Sequence, residues 1–283
     1  MDKNFVFTQP MGTVTQAKIN AGNGSYTYEV EENTNFDTWF AGLSAEAVDP
    51  DVTQPSVSIA LTGAGAKEVG AEFTPSYSVT FNAGSYQYGP ATGITATYAV
   101  SDTDSHTATE ATGSFDKFTV TDTTNYKVSV TATYTEGAVP KNNLGADAPT
   151  KKIAAGSKSA SSSTVTGYRN SFWGGVKSKE GTPDSATIRA LAGKKWGTIA
   201  AGNTGDAAES VGDMRVIIAV PAPRTINSIK DVNGLNAEAF SAFTHITVDV
   251  EGANGYEAKS YNVYYKDNAA ACDKANKWHF TVA

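Results

Sequence analysis

The chain has 283 residues, enough for two domains, and 18% of them are charged, below the usual share of about 25%. Its net charge is −7, and its basic residues group only in short pairs such as Lys151-Lys152 and Lys194-Lys195, which argues against a nucleic-acid partner. One cysteine, Cys272, excludes an intramolecular disulfide and any zinc site built on several thiolates.

Thr, Tyr and Val are frequent, the profile of a β-rich protein. Residues 1–20 show no basic region followed by an apolar core. The longest apolar run, Val216–Val220, is far too short to span a bilayer. These features predict a protein made in the cytoplasm, with no membrane partner.

Residues 1–53 read as an arm. Ser25–Glu31 alternates like a strand. Thr34–Leu43 places Phe36, Trp39, Phe40 and Leu43 on one stripe of a short helix, with Thr34 as its cap and Asp37 three residues on. That aromatic stripe needs a cover. The chain's own second domain would supply one. A neighbouring subunit is the alternative, and it makes these four residues the candidate docking residues.

Residues 54–135 predict an immunoglobulin-like sandwich of the disulfide-free kind, opened by Pro55. Its strands are expected at Ser56–Thr62, Tyr77–Asn82, Gly93–Val100, Phe115–Thr121 and Tyr126–Thr135. In the last, Tyr126, Val128, Val130, Ala132 and Tyr134 share one face, and polar residues take the other.

Residues 136–166 predict an extended strap. It is rich in Ser, Gly and Pro and carries apolar anchors at Val139, Leu144 and Ile153. Residues 167–283 predict a second β domain. Strands are expected at Thr164–Trp173, Lys195–Ala200, Met214–Val220, Phe243–Val250, Lys259–Tyr265 and Trp278–Val282. Short helices are expected at Pro183–Ala192, with Pro183 in the first turn, and at Asn236–Phe243. The fold class is therefore mainly β.

Chemistry is hard to find in this pattern. His106 lies in a polar loop, and His245 and His279 lie in alternating strands without metal-ligand spacing. The Asp-rich DPD and DTD segments lack the spacing of a calcium loop and read as turns. Gly63–Gly65 is a turn, not a phosphate loop. No catalytic, cofactor or metal residue is expected, and the chain does not read as an enzyme. Tyr86, Tyr88, Arg169 and Trp173 are candidates for a surface that contacts sugar or protein. For the aromatics around Trp173, the alternating strand favours a place in the core.

The segments YTEGAVPKNNLG, AAGSKSA, GYRNSFWGG, VNGLNAE, VEGANGY and YNVYY carry no chemistry, but as a set they resemble a group of bacteriophage virion proteins. These come from phages of gut bacteria and belong to tails, baseplates or head fibres. The resemblance spans about Phe36 to Ala283. It implies a structural or host-contact role in a symmetric multimer, with a trimer favoured, and contacts with other virion proteins. It also implies localisation to the virion after synthesis in the host cytoplasm and release by lysis. The short arm before the sandwich favours a short appendage, baseplate piece or capsid decoration over a fibre shaft. The alternative from another class is a carbohydrate-binding module for a bacterial surface glycan.

Overall fold

The computed structural model describes residues 13–17 and 25–29 as strands, together with residues 47–195 and 200–283. The expected helix Thr34–Leu43, with Phe36, Trp39, Phe40 and Leu43, lies outside the described residues. So does most of the expected strand Lys195–Ala200.

The protein is mainly β, and its sheets are almost wholly antiparallel. No helix among the described residues is long and apolar enough to cross a membrane. The chain divides into two compact units. One comprises Met1–Ser56, Phe81–Ala96 and Thr133–Lys158; the other comprises Val57–Thr80, Thr97–Ala132 and Ser159–Ala283.

In the first unit, Thr13–Ala17 pairs with Ser25–Glu29. A small core forms from Tyr86, Tyr134 and Ile153, with Val52, Phe81 and Ile94 against it. The Tyr86 hydroxyl organises it by accepting the Ile153 amide at 2.9 Å and donating to the Ala138 carbonyl at 2.9 Å. Of the three expected strap anchors only Ile153 is buried, at 1% exposure; Val139 and Leu144 stand in solvent. The reason is local. Asn142 Oδ1 accepts the amides of Leu144 and Ala146, folding this stretch into its own turn.

Mostly within the second unit, two sheets face each other in the order of a Greek-key sandwich. One runs Thr112–Ser114, Ser76–Asn82, Ser56–Leu61. The other runs Thr107–Ala108, Ala96–Asp102, Val128–Tyr134, Gly156–Ser161. Ile59, Leu61 and Tyr77 from the first meet Val100, Val128 and Val130 from the second in one buried cluster. The alternation expected at Tyr126–Tyr134 is real: all five residues on that face are at most 7% exposed. The serine-rich run differs from the strap expected there. Gly156–Ser161 is a strand, and Ser129–Ser161 and Thr131–Ser159 hydroxyl bonds at 2.9 Å tie it to its neighbour.

The expected strand Thr164–Trp173 is two strands in two sheets. Val165–Tyr168 pairs in parallel with Gly65–Glu68 and antiparallel with Asn125–Tyr126. Ser171–Val176 enters a five-stranded sheet in the order Gly193–Lys195, Ser171–Val176, Arg215–Pro221, Lys259–Asp267, Thr244–Val250. The break falls at Arg169 and Asn170, where Arg169 turns to Asp122 and the Asn170 carbonyl accepts the Tyr261 hydroxyl.

One face of this sheet meets a four-stranded sheet of Thr204–Glu209, Asn276–Val282, Ile226–Asp231 and Ala237–Glu238, through Val216, Ile218, Trp278 and Phe280. Ile217, Ala219 and Val263 on the other face pack with Ile188 and Leu191. The central strand Arg215–Pro221 is thus covered on both sides, which is why its sequence is an unbroken apolar run.

Two helix expectations change. A short helix, α1 (Ser185–Arg189), is capped by Asp184, whose Oδ1 accepts the Thr187 amide at 2.8 Å. Pro183 therefore precedes the cap and does not enter the first turn. Asn236–Phe243 is not an α-helix. Ala237–Glu238 is a strand, and Phe240–Ala242 is a single 3-10 turn. Asp231 Oδ1 accepts the amides of Asn233 and Gly234, and Leu235 and Asn236 take positive φ, which closes a hairpin loop.

Candidate functional site

An open groove of about 720 Å³ lies in the second unit, lined by Asp122, Tyr168, Arg169, Arg224, Lys259 and Ser260 among others. The end of the strand at Tyr168 places Arg169 in its wall. The Arg169 side chain is 6% exposed and grips Asp122 with two bonds of 2.9 Å. It also donates to the carbonyls of Glu257 and Val250. The Arg169 guanidinium holds the Asp122 carboxyl below the usual carboxylate range, against the upward push of burial. Arg169 is therefore a brace with four of its five N–H donors engaged. Arg224 and Lys259 form no ion pair among the described residues. The chemistry this groove offers is two cations and a serine hydroxyl, suited to an anionic group.

The other sequence candidates are placed differently from one another. Tyr86 is 6% exposed with its hydroxyl committed inside the first unit, so it is a core residue and not a contact residue. Tyr88, in the same unit, is 37% exposed and does present its ring to solvent. Trp173 is half-buried and packs edge-on against Phe280 at 5.3 Å, inside the cluster between the two C-terminal sheets. Arg169 pairs with a carboxylate as a brace, and Trp173 takes the core place that its alternating strand favours, so neither serves as a surface contact. No flat aromatic platform is assembled from these four.

The DTD segment behaves as a turn. Asp102 Oδ1 accepts the amides of Asp104 and His106, and Oδ2 meets the His106 Nδ1 and the Tyr126 hydroxyl. Asp102, Asp104 and His106 could bring ligand atoms within 4.8 Å of one another. The Asp102 carboxylate is already fully engaged by those donors. Burial pushes this carboxyl up, but the His106 and Tyr126 bonds outweigh it and hold it low. The same carboxylate raises the His106 imidazole. His279 meets Asp206 across the sheet at 2.7 Å, and His245 lies on Tyr264 with ring centroids 4.6 Å apart.

Two buried polar clusters escape a sequence reading. Glu209, 2% exposed, accepts from the Trp278 indole and from Asn268 Nδ2, with the Cys272 thiol beside it. Arg215, 4% exposed, pairs with Asp267, donates to the carbonyls of Lys179 and Gly181, and lies over the Tyr265 ring. The one available signal was alternation: in Thr204–Glu209, period two puts Glu209 on the face of Ala207.

Comparison with protein-family models and with curated proteins returns no match for this chain.

Proposed function

We propose that this chain is a structural part of a bacteriophage particle, of the tail, baseplate, short-fibre or capsid-decorating type. It acts by assembly with copies of itself and with other virion proteins. The resemblance of the GYRNSFWGG, VNGLNAE and VEGANGY segments suggests the particle. The observation that supports a structural role is how the polar side chains are used. Arg169, Arg215, Glu209 and Asp102 each bond within the fold, and each of these clusters joins strands or loops. They work as braces of a layered β framework.

The docking residues proposed are Phe36, Trp39, Phe40 and Leu43. Particles purified on a density gradient should carry the chain, and the purified chain should scatter light as a multimer. The double change Trp39→Ala, Phe40→Ala should abolish incorporation into particles. Unchanged incorporation and unchanged mass would sink the docking role. A monodisperse monomer that binds a bacterial glycan would favour the carbohydrate-binding alternative, for which Tyr88 is the exposed aromatic.

A further inference from the structure

Thr244–Val250 forms one edge of the five-stranded sheet and, at seven residues, is the longest edge strand among the described residues. Its sequence, THITVDV, has high β propensity and contains no Pro, Gly or Lys, the residues that usually blunt an edge. Its outward groups can be assigned. The Ala222 amide to Ser260 carbonyl bond and the Asn268 amide to Met214 carbonyl bond continue the pairing of Arg215–Pro221 with Lys259–Asp267. Even-numbered residues of Lys259–Asp267 therefore bond toward that neighbour, and odd-numbered ones toward the edge strand. Tyr265, Val263, Tyr261 and Lys259 stand opposite Thr244, Ile246, Val248 and Val250. His245, Thr247 and Asp249 are left with both backbone groups facing the open edge, and all three are exposed.

The strand is complementary to itself about Thr247. Laid antiparallel on a second copy with Thr247 opposite Thr247, it sets His245 opposite Asp249 on one face and Ile246 opposite Val248 on the other. The same register pairs every outward amide and carbonyl of His245, Thr247 and Asp249 with its counterpart. This register also sets an imidazole against a carboxylate. Asn262 donates its Nδ2 to the Arg224 carbonyl at 2.7 Å, so its Oδ1 faces His245 Nε2 at 3.0 Å as the acceptor. His245 Nδ1 is the ring nitrogen left toward the opposing Asp249 carboxylate. Ile246 and Val248, half-buried in one copy, would each gain an apolar neighbour.

We propose that two copies of this protein associate through the Thr244–Val250 edge, joining their five-stranded sheets into one continuous sheet about a two-fold axis. The proposal deepens the assembly reading above and rests on it in requiring a self-partner. It differs in symmetry, since an isologous edge gives a dimer and not the trimer expected from the resemblance.

The tests use the full chain. Light scattering and sedimentation over a concentration series should show a dimer. Thr247→Pro removes only an outward amide, so its far-ultraviolet circular dichroism should match wild type while the dimer dissociation constant rises at least about tenfold. If that variant loses its fold, Asp249→Lys supplies the second probe. It places a cation against His245 and should weaken the dimer with the sheet intact. Thr247→Cys should cross-link under mild oxidation, with mass spectrometry finding 247 joined to 247. A monomer throughout, or a dimer indifferent to Thr247→Pro and Asp249→Lys, overturns the proposal. A trimer lost on Trp39→Ala, Phe40→Ala would leave the virion reading standing while this edge is discarded. A dimer that never enters particles would do the reverse.

Discussion

The Asp102 carboxylate, with side-chain exposure of 1%, is where the loop after Ala96–Asp102 is held. Its bonds imply a pH dependence. Folding raises the His106 imidazole, so its stabilising contribution is complete below about pH 6.5 and fades as pH rises through the folded value. Folding lowers Asp102, so its contribution is complete above about pH 4 and fades as pH falls through the folded value. Together they predict a plateau between about pH 4 and about pH 6.5, with a decline on each side. Asp102→Asn should flatten both flanks, read as the difference in urea midpoint between variant and wild type across that range. A difference that does not vary with pH would remove this pair as the cause. The turn role of Asp102 was legible, because Asp before a polar loop bonds its own backbone. Its tie to Tyr126 was not, since that partner lies 24 residues on.

At the scale of elements, the close approach of Val165–Tyr168 to the Thr121 loop depends on Gly167. A Cβ there would fall on the Thr121 carbonyl, which lies too near to accept one. Gly167→Ala should therefore cost about 1–3 kcal/mol in denaturant unfolding, the range for an overpacked site. A neutral result would mean that the strand can move away from Thr121. Alternation and apolar runs were enough to place Tyr126–Tyr134 and Met214–Val220, whose burial is strong and regular. They failed at Thr164–Trp173, where the pattern continues across Arg169 although the chain changes sheets. They also failed at Asn236–Phe243, where helix-forming Ala and Glu are overruled by a turn that Asp231 nucleates and by Glu238, which accepts from Ser228, Ile229 and Phe240.

For the whole molecule, a single cysteine means that reduction has no intramolecular disulfide to break, so the unfolding midpoint should not respond to reductant. Cys272 instead serves as a reporter. Burial and then the neighbouring Glu209 carboxylate push its thiol up. Iodoacetamide should label the native protein several-fold more slowly than the unfolded chain. Protection should disappear at the denaturant concentration where the fluorescence of Trp173 and Trp278, both set between the C-terminal sheets, also changes. Labelling at the unfolded rate under native conditions would show that the Glu209 cluster opens on its own.

The amino-acid sequence by itself determined that this protein is built from strands, which faces of them are buried, and that no intramolecular disulfide holds its framework. Those properties come from local periodicity and from composition, and both can be read without knowing what the chain touches. Only the tertiary structure decided that the serine-rich run is a strand, that Tyr86 is a core ring, that Arg169 is a brace to Asp122, and that Thr244–Val250 is left on an open edge. Each of these depends on partners far apart in the chain, and sheet order, unlike strand periodicity, has no local signature.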